Sequence, residues 1–357
     1  MENLLCKLIN SSLAGKPLEI SGVTELDWQR CFDIALQQNV LAMTFPAMSA
    51  LPKEQRPEFA LWSKWMAYAQ SVTEQSAHKR QVVEKIGGWL AEEGLTTMIL
   101  KGFSLSALYP NPILREFCDV DIFSGTDYEA VNAGFHKHGI EVGKPDGHHA
   151  RLTVDGVAVE HHHSFGNSRV RQEDAYSIEE VLQRRAISDP RPTAMSGISF
   201  PGPTLTALYT GWHAYKHFMH EKIELRHVID WAVALRQLTQ EEADEVSGVK
   251  GLSSWGRFAD TMTAIALHRF ALPREWFPAR EVEVASHISP ELEERVWDDI
   301  ISASHIAHGG TTLYRRIMIG QRLMKNRWKF REYADVSAER FLLEEFRGWA
   351  FSHRLHG

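Results

Sequence analysis

The apolar pattern of this chain changes period twice, and those changes bound what it can fold into. Up to residue 95 apolar residues recur at helical spacing, from 96 to 162 short alternating or continuous runs replace it, and beyond 203 the helical spacing returns. A few short strands between two long helical stretches predict an α+β chain. The expected organisation is an N-terminal helical region over 1–95, a small mixed-sheet core over 96–200 and a C-terminal helical domain over 201–357. Hydrophobic residues at 44% and charged residues at 24% suit a folded globular chain of this kind and exclude a disordered or collagen-like one.

Local signals place the elements. Asp27 is expected to cap a helix that buries Cys31, Ile34, Ala35 and Val40, and Pro46, Pro52 and Pro57 punctuate a connection. Helical spacing resumes over 59–95. The run 97–100 reads as a buried strand that turns at Lys101-Gly102 into a short helix, 103–109, closed by Pro110-Asn111-Pro112. A second strand follows over 119–123 and a helix over 128–139. The runs 149–154 and 157–162 flank Asp155-Gly156, a strong hairpin signal. After Pro201-Gly202-Pro203, helices are expected over 204–220, 223–238, 255–270 and 290–308, with one or two more after 311.

The chemistry concentrates in the sheet region. Asp119 and Asp121, at i and i+2 of a strand, share a face about 7 Å apart along the chain. Two like charges there repel and cost desolvation energy, and a divalent cation reverses that cost. Oxygen-only ligation suits Mg2+ or Mn2+, with water and substrate phosphates completing the shell. Glu160 lies between apolar neighbours on the last strand and needs a partner, which the same ion would supply. Lys101-Gly102, between strand and helix, lets backbone approach a phosphate.

The order strand, Lys101-Gly102, helix, Arg115, Asp119-x-Asp121, helix and a hairpin carrying Glu160 resembles the nucleotidyltransferase superfamily of polymerase β type. Leu100-Lys101-Gly102, Leu108-Tyr109-Pro110, Val159-Glu160-x-His162 and His213-x-x-Lys216-His217, followed by Leu225-Arg226 and Asp230, are similar to its bacterial branch, the uncharacterised nucleotidyltransferase family. The resemblance implies metal-dependent transfer of an NMP group from an NTP to an unidentified acceptor hydroxyl, with pyrophosphate leaving. It implies Asp119, Asp121 and Glu160 as catalytic metal ligands. Lys101, Gly102, Ser104, Arg115, Lys216 and His217 would bind the nucleotide, with His162, His213 and Asp230 behind them. The acceptor, whether small molecule, protein or RNA, would sit between the sheet and the C-terminal helices.

His161-His162-His163 resembles a metal tract, but no further ligands lie close in sequence, so a dedicated zinc site is not expected. His148 and His149 are expected to be exposed. His213 and His217 share a helix face, and Arg226 and Asp230, also i and i+4, are expected to pair. Residues 314–331 carry seven basic side chains, read as a solvated face, with a nucleic-acid or acidic partner as the rival reading. Cys118 reads as a buried small hydrophobe.

Three cysteines, Cys6, Cys31 and Cys118, without a C-x-x-C pair, argue against a disulfide framework or a structural zinc site. The formal net charge of −7 argues against general nucleic-acid coating. No signal peptide or long apolar stretch is evident, so a cytoplasmic protein without a membrane segment is expected. P-loop, G-x-G-x-x-G and G-x-S-x-G patterns are absent. Two rivals to the transferase remain: a non-catalytic nucleotide- or partner-binding protein on the same fold, and a toxin–antitoxin type nucleotidyltransferase that modifies tRNA or protein.

Overall fold

The computed structural model describes residues 2–145, 147–166, 173–220, 222–302 and 325–333. Four helices come first: α1 (Glu2–Ala14), α2 (Glu25–Gln37), α3 (Leu41–Ser49) and α4 (Phe59–Glu92). Thr24, not Asp27, caps α2; Asp27 is the reciprocal member of a capping box, its carboxylate accepting from the Thr24 backbone and hydroxyl. Pro46 lies inside α3 and does not interrupt it.

The sheet region contains β1 (Thr97–Leu100), α5 (Lys101–Ser106), β2 (Val120–Phe123), α6 (Tyr128–Lys137), β3 (His149–Val154) and β4 (Val157–His162). The expected strand at 119–123 starts one residue late, because Asp119 sits in the preceding bend. The hairpin has the expected bounds. Asp155 and Gly156 take φ of +47° and +80°, the left-handed pair of a two-residue turn, which fixes Val154 opposite Val157. Sequence reading missed α7 (Glu173–Ser188), β5 (Pro190–Pro192) and β6 (Ile198–Pro201).

These strands make one six-stranded mixed sheet in the order β3-β4-β2-β1-β6-β5. Its centre is β1 antiparallel to β2 and parallel to β6, with β4 parallel to β2. On one face Ile99, Val120, Ile122, Val159 and Ile198 pack with Val83, Ile86 and Leu90 of α4 and Phe135 of α6. Gly87 of α4 allows this approach, since a Cβ there would collide with the Ser196 carbonyl oxygen and the Ile198 side chain.

The opposite face carries Met98, Leu100 and Phe123 into a larger core built by α8 (Pro203–His220), α9 (Leu225–Leu235), α10 (Gln240–Gly251), α11 (Gly256–His268), α12 (Ala279–Ala285), α13 (Pro290–Ile301) and the N-terminal helices. The first half of α4 (Leu61, Trp65, Ala69, Val72) enters this larger core and its second half the sheet core. N- and C-terminal helices are tied through buried polar side chains. Asn10 Nδ2 donates to Phe270 O at 2.7 Å, and Gln38 Nε2 donates to Ile300 O at 3.0 Å. Among the described residues no helix is long and apolar enough to cross a membrane.

Most of the basic segment at 314–331 lies outside the described residues. Its described end forms α14 (Arg327–Tyr333). There Lys329 is buried rather than solvated; its Nζ is 2.6 Å from Asp299 Oδ2 and donates to Phe218 O at 3.0 Å.

Candidate functional site

The sheet register places Asp121, Glu160 and His162. Asp121 pairs with Leu100 of β1 and with Glu160 of β4, so the two acids stand side by side on adjacent strands. Val120 and Ile122 pack into the sheet core, which turns Asp121 to the opposite face, toward α8. His162, two residues beyond Glu160, shares that face. Its Nε2 is 2.8 Å from Asp121 Oδ1 and 3.8 Å from Glu160 Oε2. Asp121, Glu160 and His162 each offer a ligand atom within 4.8 Å of the other two.

Lys101 enters from the end of β1. Its φ of +44° is left-handed, a conformation that costs a non-glycine residue about 1 kcal/mol or more. Its Nζ lies 2.7 Å from Asp121 Oδ1 and 5.8 Å from the Tyr209 ring centroid on α8. Asp121 Oδ1 therefore faces two nitrogen donors.

The three acids differ in charge state. Burial pushes the Asp121 carboxyl up, but the Lys101 charge and the His162 hydrogen bond outweigh it and hold the group well below the usual carboxylate range. Asp119 and Glu160 are raised, by burial first and by the Asp121 charge second. Burial holds His162 neutral, its pKa lowered to about 4. With Nε2–H donating to Asp121, its Nδ1 is a buried acceptor without a hydrogen-bond partner among the described residues. Arg151, opposite Glu160 on β3, reaches Glu160 Oε1 at 3.3 Å from an exposed position.

Several residues expected around a nucleotide are instead engaged inside the protein. A Cβ on Gly102 would stand 2.8 Å from Phe117 Cβ, so the close approach at this glycine is to Phe117. Ser104 is buried, and its hydroxyl donates to Lys101 O at 3.1 Å. Arg115 is buried in a fork with Asp230: Nε to Oδ1 at 3.0 Å and Nη2 to Oδ2 at 2.6 Å, with Nη1 donating to Gly102 O at 2.9 Å. Tyr109 donates to the same carboxylate at 2.6 Å. The Arg226–Asp230 pair expected from helix spacing is not the one formed; Arg226 donates to Glu116 O and Glu224.

Lys216 and the histidines of α8 lie on the far wall. Lys216 Nζ donates to Phe165 O at 3.1 Å, and burial, with the Lys101 charge adding, lowers its pKa to about 8. The rings of His213 and His217 are 4.4 Å apart, with His227 of α9 at 6.3 and 5.9 Å. Burial drives His213 well below its ordinary value.

Two further expectations differ from the structure. Cys118 is exposed, because it lies in the bend before β2 where strand alternation does not apply. His148 and His149 are partly buried and face His162, with ring centroids 5.1 and 5.3 Å from it. A signal for this was present: counting outward from the Asp155-Gly156 turn puts His149 opposite His162. His161 points to the other face, where Asn132 Oδ1 at 2.8 Å and Ser124 Oγ at 3.0 Å engage its ring.

A family model described as uncharacterised nucleotidyltransferase matches residues 24–270. That span runs from the cap of α2 through the sheet to the end of α11. No curated protein and no solved structure matches the chain.

Proposed function

The chain belongs to the uncharacterised nucleotidyltransferase family, and from that premise we propose that Asp119, Asp121 and Glu160 bind Mg2+ or Mn2+ and that the site transfers an NMP group from an NTP to an acceptor hydroxyl, releasing pyrophosphate. The observation that carries this reading is the register of β2 with β4. It sets the Asp121 and Glu160 carboxylates side by side, with ligand atoms within 4.8 Å, at a half-buried face. A hard divalent cation fits the carboxylates, because it offsets the burial and the Asp121 charge that together raise Asp119 and Glu160. When bound, such an ion supplies Lewis-acid stabilisation of the phosphoryl oxygens.

The chain's own groups take distinct parts. Asp121, held ionised, is the constant anionic ligand. Glu160, paired with Asp121 across β2 and β4, would complete the metal shell on the acceptor side and help lower the pKa of the attacking hydroxyl. Lys101 moves its charge from Asp121 toward the triphosphate, and Lys216 adds a second cation on the α8 side. Arg115, Asp230 and Ser104 hold the loop that bears Lys101, and His213 and His217 line the acceptor side.

The test is calorimetry of ATP, GTP, CTP and UTP with Mg2+ against wild type and the Asp119→Ala/Asp121→Ala double variant. Binding that requires Mg2+ and disappears in a folded double variant supports the reading and identifies the donor base. Absence of binding to folded wild type overturns it in favour of a non-catalytic protein.

A further inference from the structure

A second cluster of metal-ligating side chains stands beside the carboxylates. His148, just before the edge strand β3, His149 at its start and His162 at the end of β4 each offer one ring nitrogen, all within 4.8 Å of one another. Their ring centroids are 4.8, 5.1 and 5.3 Å apart. The three come from both strands of one hairpin, whose two-residue turn fixes their register. The backbone locks His148 further: its carbonyl accepts from His163 N at 3.0 Å and Ser164 N at 3.4 Å.

Packing alone leaves this cluster incomplete. His148 Nδ1 and His162 Nδ1 are buried without a hydrogen-bond partner among the described residues, and buried polar atoms are rarely left so. His162 donates through Nε2 to Asp121 Oδ1 at 2.8 Å. A carboxylate that orients an imidazole in this way leaves its other nitrogen for a metal. His149 Nε2 lies 3.3 Å from Glu160 Oε1, a charge contact without hydrogen-bond geometry.

We propose that His148, His149 and His162 form a metal site for a zinc-class ion, adjacent to the Asp121–Glu160 face and coupled to it through His162. Three imidazoles with an open fourth position suit a borderline transition metal and not Mg2+, which takes oxygen ligands. Metal–nitrogen bonds of about 2.0–2.1 Å set tetrahedral ligand nitrogens about 3.3 Å apart, so nitrogens now within 4.8 Å of one another would draw together on binding. This site does not depend on the nucleotidyl-transfer reading.

The experiment uses the full chain, stripped by chelator and titrated with Co2+ alone, followed by visible absorption. The expected result is one equivalent of Co2+ with intense tetrahedral ligand-field bands, displaced by stoichiometric Zn2+ and resistant to excess Mg2+. Affinity at the tetrahedral site should fall at least about tenfold in His148→Gln and stay unchanged in His287→Gln, an exposed histidine after α12. If His148→Gln loses its fold by circular dichroism, His149→Gln takes its place with the same expectation. Absence of tetrahedral bands, or bands that survive the His148 and His149 variants or vanish in His287→Gln, would overturn the proposal.

Discussion

Lys101 Nζ stands 2.7 Å from Asp121 Oδ1, the same oxygen that accepts the His162 Nε2 hydrogen bond. The lysine thus supplies positive charge at the face where the acids converge. Replacing it with methionine removes an internal competitor for Asp121. Lys101→Met should leave the affinity for Mg2+ alone unchanged or tighter. The loss of a charge-assisted contact to phosphate should weaken NTP by about tenfold or more. Separate calorimetric titrations of metal and of NTP with metal check this; wild-type NTP affinity in the variant would remove Lys101 from phosphate recognition.

The Arg115–Asp230 fork joins the loop after α5 to α9 across a buried interface. Burial raises the Asp230 carboxyl, but the Arg115 charge outweighs it and keeps the pKa below its ordinary value. Asp230→Ala leaves a buried guanidinium and the Tyr109 hydroxyl without their acceptor, and should cost about 3–5 kcal/mol of stability. Urea unfolding should show a lower midpoint at unchanged slope. A loss below about 1 kcal/mol would mean the pair behaves as an exposed one.

His161 is fully buried, and burial lowers its pKa to about 3 from an ordinary 6.5. The unfolded chain therefore takes up this proton at a higher pH than the folded chain does. Its contribution to stability is complete above about pH 6.5 and is lost as pH falls toward the folded value, by up to about 1.4 kcal/mol per pH unit. In chelator, urea midpoints should drop between about pH 7 and about pH 5, and His161→Gln should flatten that drop. An equal slope in both proteins would assign the acid sensitivity to other groups.

Gly102 packs against Phe117, whose Cβ and Cγ would stand 2.8 and 3.0 Å from an added methyl. Both are fixed near the chain and cannot swing aside. Gly102→Ala should destabilise by about 1–3 kcal/mol and displace Lys101, the preceding residue, from Asp121. Thermal melts and NTP titration read the two effects, and unaltered values in both would show that the loop relaxes freely.

Local residue order alone sets the structure of the site region. The Asp155-Gly156 turn, the apolar run of β1 and the alternation of β4 specified the hairpin, the turn at Lys101 and the faces of Asp121 and Glu160, because turn chemistry and side-chain period are properties of neighbouring residues. The family motifs marked the same residues. What it did not display was which distant groups meet. The family motifs put Arg115 at the nucleotide and helix spacing pairs Asp230 with Arg226, yet Arg115 and Asp230 close on each other across 115 positions of chain. Strands β5 and β6 are short and lack strong alternation; β6 exists because the edge of β1 offers unpaired backbone that Ile198 and Ser199 satisfy. His148 and His149 resembled exposed polar residues until the fold closed the hairpin over His162. Such contacts are decided only when the whole core packs, since burial and long-range partner choice depend on every element that covers the sheet.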